Sequence, residues 1–123
     1  MSSYLVIQLY CTPAEANDIR SALTAEIAKY PEYTDSRIEF EPKTEAEADS
    51  GMHSEWATQH PGQDPADRGY FFLRVESPTD IPEPALREVE NTVTDWIDTT
   101  YNDASDEIIE VQWGSYAGTR LVN

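Results

Sequence analysis

Lysine is almost missing from this chain. Lys29 and Lys43 are the only two, and with Arg the basic residues number 8 against 24 Asp and Glu, a formal net charge of −16 over 123 residues. A surface this poor in positive charge weighs against binding to phosphate backbones or anionic membranes, both of which need a basic footprint. Cysteine is reduced to Cys11, which excludes an intramolecular disulfide framework. The five glycines form neither a P-loop nor a dinucleotide pattern, so nucleotide hydrolysis is not indicated. No apolar run approaches the ~20 residues of a membrane helix. Tyr4 to Tyr10 is apolar but lacks the basic flank and small-residue cleavage site of a signal peptide.

What is present is a foldable core. Hydrophobic residues make up 39% of the chain and aromatics 11%, too many for intrinsic disorder. The length suits one domain. The carboxylates form no tail or single block; they run from Glu15 to Glu110 between apolar residues. In dilute salt such self-repulsion opposes compaction, whereas at 1 M salt the Debye length falls to roughly 3 Å. A dispersed acidic surface, scarce Lys and a real core fit a protein working in concentrated salt. The composition resembles that of haloarchaeal cytoplasmic proteins or of viruses infecting haloarchaea. The expected location is the cytoplasm or a virion.

Six elements follow from periodicity and punctuation. Tyr4–Tyr10 reads as a central strand. Thr12, Pro13 and Glu15 make an N-cap, a first-turn Pro and a capping box, opening a helix whose apolar face is Ala16, Ile19, Leu23, Ile27 and Tyr30, stopped by Pro31. Arg37–Glu41 alternates strictly and ends at Pro42, the pattern of an edge strand. Residues 43–68 form a long insertion, with a short helix capped at Thr44–Glu47 and broken at Gly51, and irregular chain in the remainder, through Trp56 to Pro65. Gly69–Val75 is a second strong strand. Asp80–Tyr101 is a helix burying Leu86, Val89, Val93, Trp96 and Ile97, and Asp106–Trp113 is the last strand. Residues 114–123 read as a polar arm, whose Tyr116, Arg120 and Leu121 are placed to reach a neighbouring subunit. Strand, helix, strand, strand, helix, strand is the α+β ferredoxin-like βαββαβ plan, a four-stranded antiparallel sheet with two helices on one face. Residues 1–113 would form this single domain, with the first and third strands side by side in the centre.

Alternation sends Leu5, Ile7, Leu9, Phe71, Leu73 and Val75 toward the helices. Tyr4, Val6, Gln8, Tyr10, Tyr70, Phe72 and Arg74 then share the opposite face. An aromatic face is too apolar to stay bare. Either the insertion folds over it or a partner covers it, a second protomer or another protein subunit. Tyr4, Gln8, Tyr10, Tyr70, Phe72 and Arg74 are therefore the candidate contact residues. Arg68-Gly69-Tyr70-Phe71-Phe72-Leu73-Arg74-Val75 also resembles the third-strand motif of RNA-recognition-motif domains, matching at Arg68, Gly69, Tyr70 and Phe72. That resemblance implies single-stranded nucleic-acid binding with Tyr70 and Phe72 stacking on bases. Phe71 and Val75 depart from the pattern, where a small residue and an aromatic are expected, and the net charge opposes it.

The insertion holds both histidines. His53 and His60, with Glu55 and Asp64, are the candidate metal ligands. Their spacing matches no recognised metal motif, and no cofactor is indicated. Cys11 precedes a helix N-terminus, a position that lowers a thiol pKa, yet no base stands near it in sequence. No catalytic residue is assigned. The reading that follows is a non-enzymatic structural or adaptor protein of a halophilic archaeon or its virus, self-associating or part of an assembly such as a virion. The alternatives are the RNA-recognition-like binder and a small dimeric ferredoxin-like ligand-binding protein or enzyme with the His53–His60 loop as a lid.

Overall fold

In the computed structural model, residues 2–43, 52–59, 61–62, 68–102 and 111–120 are described. They form an α+β fold with one four-stranded antiparallel sheet and three α-helices. The elements are β1 (Ser2–Cys11), α1 (Pro13–Ile27), β2 (Arg37–Lys43), α2 (Met52–Gln59), β3 (Gly69–Ser77), α3 (Glu83–Ile97) and β4 (Gln112–Arg120). A 3-10 turn, Pro31–Tyr33, leads into β2, and a π-turn, Asp98–Asn102, follows α3. The strand order is β2-β3-β1-β4, which puts β1 and β3 in the middle and leaves β2 and β4 as edges.

Local chemistry sets the start of α1. The Thr12 side chain accepts from the Glu15 amide at 3.2 Å while the Thr12 amide donates to Glu15 Oε1 at 2.9 Å, a complete capping box with Pro13 in the first turn. Helices α1 and α3 pack on one face of the sheet. There Leu5, Ile7, Leu9, Leu73 and Val75 meet Ala16, Ile19, Leu23, Leu86, Val89, Val93 and Ile97 in a single core. Carboxylates that enter this layer are paired. Glu26 is bonded by Lys29 at 3.1 Å, and Glu90 by Arg87 at 2.8 Å, as buried charge requires.

Three expectations are corrected. The insertion is not irregular through Trp56, because Met52–Gln59 is helical. Met52 and Trp56 lie one turn apart and both are buried, so the helix exists to carry them onto the sheet. The last strand is Gln112–Arg120 rather than Asp106–Trp113. Accordingly, residues 114–120 are not an arm but a full edge strand along β1, from Tyr10↔Gln112 to Ser2↔Arg120. The apolar Ile108-Ile109 pair drew the expectation too early, while Gly114 and Gly118 disguised the alternation of Trp113, Ser115 and Ala117. The second helix is also shorter than Asp80–Tyr101, running from Glu83 to Ile97. The Thr44–Glu47 helix and residues 106–110 lie outside the described residues.

Two tyrosines in this layer link pH to stability. Burial first, then the carboxylates of Asp18 and Glu15, push the Tyr101 phenol from its ordinary 10 up to about 12. Burial likewise raises Tyr33, whose hydroxyl donates to the Ala85 carbonyl at 3.4 Å. A raised folded pKa on an acid means that the neutral form is the one the fold holds. The stabilisation is therefore complete below pH 10 and disappears as pH rises through about 12. Thermal melts should show Tm falling steeply across that window, and Tyr101→Phe should flatten the fall. A wild-type Tm unchanged between pH 9 and 12 would contradict the buried, neutral phenols.

Candidate functional site

The register defines the face turned away from α1 and α3 as four rows across β2, β3, β1 and β4. They are Lys43–Tyr70–Tyr10–Gln112, Glu41–Phe72–Gln8–Gly114, Glu39–Arg74–Val6–Tyr116 and Arg37–Glu76–Tyr4–Gly118. All six candidate contact residues lie on this one face.

Helix α2 covers the first row. Trp56 is 1% exposed and forms a small second core with Met52, Tyr10 and Tyr70. The rings of Tyr10 and Trp56 meet edge to face at 6.3 Å, and Tyr10 and Tyr70 lie 5.2 Å apart. The Arg68 guanidinium sits 4.5 Å over the Trp56 ring, closing the cluster from the β3 side. Tyr10 and Tyr70 are thus buried under the protein's own insertion and are not available to a partner. Of the other rows, Val6 is buried as well. Tyr4, Gln8 and Arg74 are half-buried, and Phe72 is nearly covered, with Lys43 Nζ 5.8 Å over its ring.

The open remainder changes character from edge to edge. At β2 it is charged: Lys43 pairs with Glu41 at 2.7 Å, and Arg37 with Glu39 at 3.3 Å and Glu76 at 3.8 Å. At β4 it is uncharged, with Gly114, Tyr116 and Gly118 along the strand. Tyr116 is 45% exposed, the one large hydrophobic so exposed among the described residues. Its ring contacts Tyr4 edge to face at 6.0 Å. A Cβ at position 118 would come within 2.9 Å of the Tyr4 hydroxyl, so Gly118 is what lets Tyr4 lie across β4. The sequence reading named Tyr116 only as part of an arm and missed the two glycines. The period-two spacing of Gly114, Tyr116 and Gly118 was the available signal.

His53 lies on α2, while His60 and Asp64 fall outside the described residues; among the described residues no three His, Cys, Asp or Glu side chains cluster as metal ligands. Cys11 is fully buried in the main core. Burial, and then the Glu15 carboxylate, lift its thiol far above the ordinary range, overriding the helix terminus that should have lowered it. At the sheet end far from α2, a shallow open cleft of about 420 Å³ is lined by Ser2, Ser3, Asp35, Arg37, Glu76, Ser77 and Pro78. Its buried hydroxyls are occupied structurally. Ser3 donates to the Thr79 carbonyl at 3.0 Å and accepts from the Ile81 amide at 2.7 Å, and Ser77 shares a hydrogen bond with Thr79 at 2.9 Å.

No protein-family model and no curated protein matches the chain. Solved structures with a distant likeness include a "putative amidohydrolase/peptidase" from Burkholderia cenocepacia, at 14% identity and a TM-score of 0.48. Another is an amidase of the hydantoinase/carbamoylase family from Burkholderia multivorans, at 10% identity and a TM-score of 0.48. Each alignment covers 96% of this chain but 27% of the other, so the chain spans about a quarter of those proteins. A likeness this distant says nothing of their chemistry here. No helix among the described residues is long and apolar enough to cross a membrane.

Proposed function

We propose that this chain is a non-enzymatic, self-associating structural or adaptor domain of ferredoxin-like type, built for concentrated salt in a halophilic archaeon or one of its viruses. It would serve as a subunit of a larger assembly, such as a virion component. The observation that carries the reading is the half-covered sheet face. The insertion spends its helix on Tyr10 and Tyr70, whereas Tyr4 and Gln8 stay half-buried and Tyr116 is 45% exposed. On a chain of net charge −16, an exposed aromatic ring on a strand uncharged before Arg120 is a usual mark of a protein contact. The antiparallel β1–β3 centre supports the ferredoxin-like assignment.

The nucleic-acid reading draws less support, since Tyr70 would have to leave Tyr10 and Trp56 before it could stack on a base. Light scattering after size exclusion in molar KCl, followed by titration with single-stranded oligonucleotides, separates the two. A discrete multimer whose Trp fluorescence ignores oligonucleotide is the expected result. A monomer, or a species quenched by oligonucleotide and relieved by Phe72→Ala, would overturn it.

A further inference from the structure

The two edges of the sheet are built oppositely. β2 carries the devices that keep an edge from pairing: Arg37, Glu39, Glu41 and Lys43 on alternate positions, and Pro42, which has no N–H to offer. β4 carries none. Its nine residues, Gln112–Arg120, contain no Pro, no carboxylate and no charge before Arg120. A longer stretch without charged side chains, Ser2 to Ala14, holds β1, which is paired on both sides. The sheet ends at this strand, with no further strand beyond it among the described residues.

We infer that β4 is the docking edge for a second copy of this chain, paired antiparallel about a two-fold axis at Tyr116. This rests on the self-association reading above and names its surface and partner. Three observations select the partner. Two copies of charge −16 repel wherever carboxylates come into direct contact, so a surface without carboxylates is the least opposed place to meet, and β4 is such a place. A basic protein, by contrast, would find no acid on β4 to pair with. The strand is also self-complementary. With Tyr116 opposite its own copy, Gly114 of each chain stands opposite Gly118 of the other, leaving the two exposed Tyr116 rings flanked by residues without side chains. The space that a Cβ would enter at Gly114 is empty to 4 Å. Such a contact is isologous, closes at two, and joins two four-stranded sheets into one continuous sheet. Backbone pairing along β4 would supply hydrogen bonds whose strength does not depend on charge, an advantage in molar salt.

The test uses the full chain in molar KCl. Wild type should scatter as a species of about twice 13.9 kDa. Gly114→Glu, whose Cβ meets nothing within 4 Å, should run at the single-chain mass with an unchanged far-UV circular dichroism spectrum. Independently, Tyr116→Cys should form a disulfide-linked dimer under mild oxidation. Wild type is its blank because Cys11 is fully buried. A monomeric wild type would overturn both this pairing and the self-association reading. A wild-type multimer that survives Gly114→Glu, or a Tyr116→Cys protein that stays uncrosslinked, would overturn the β4 edge alone and leave self-association by another surface.

Discussion

Trp56→Ala should be the most damaging single substitution outside the main core. Trp56 is essentially inaccessible and holds α2 against Tyr10 and Tyr70. Truncating a buried Trp costs about 3–5 kcal/mol, a large share of the roughly 5–15 kcal/mol that holds a domain of this size. The expected readout is a large drop in urea midpoint, accompanied by binding of a hydrophobic dye as Tyr10 and Tyr70 lose their cover. Trp56→Phe should recover part of the loss, since a smaller ring still fills the site. Because α2 lies within the insertion and contacts the sheet mainly through β1 and β4, the damage should be concentrated on that face. Amide exchange should quicken along α2 before the α1–α3 core responds. A cost below about 1 kcal/mol would mean that the helix is not anchored by this ring.

The second large effect is salt. With a net charge of −16 and neutral packing beneath it, the fold should be loosened in dilute buffer and should tighten steadily toward molar KCl. The screening length falls from roughly 10 Å at 0.1 M to roughly 3 Å at 1 M. Relieving a few kcal/mol of self-repulsion is worth roughly 10–20 °C in Tm at this chain length, and that rise should be seen by calorimetry between 0.1 and 2 M KCl. The cause can be isolated. Glu32, Asp35 and Asp80 are all exposed, so replacing them with Lys should raise the low-salt Tm and flatten the curve. A Tm that is flat with salt in the wild type would remove the argument for a halophilic setting.

The two effects act on different parts of the molecule and were not equally visible in the chain. The salt response follows from composition, which needs no coordinates. The start of α1 was legible for a similar reason, since Thr12, Pro13 and Glu15 act within one turn. β1 and β3 were legible because they are runs of aliphatic and aromatic residues bounded by turn residues. Their helix-side residues entered the core as expected.

The insertion helix and β4 were not legible, and the reasons are physical. Met52–Gln59 is short and weakly patterned by itself. Its Met52 and Trp56 become a reason to be helical only once Tyr10 and Tyr70 stand beside them, brought together from positions 60 residues apart by the β1–β3 pairing. β4 has glycine where a strand signal wants bulk. Only the neighbouring Tyr4, lying across Gly118, shows why bulk is unwelcome there. Cys11 makes the same point in electrostatics. Its place before a helix suggested a lowered thiol pKa, but the core that closes over it raises the pKa instead. The sequence by itself determined the charge, the foldable core and the elements whose cues lie within a turn or a strand. Tertiary structure decided which aromatics are covered, where the sheet ends and which edge is left uncharged, because each depends on residues distant in the chain meeting across the sheet.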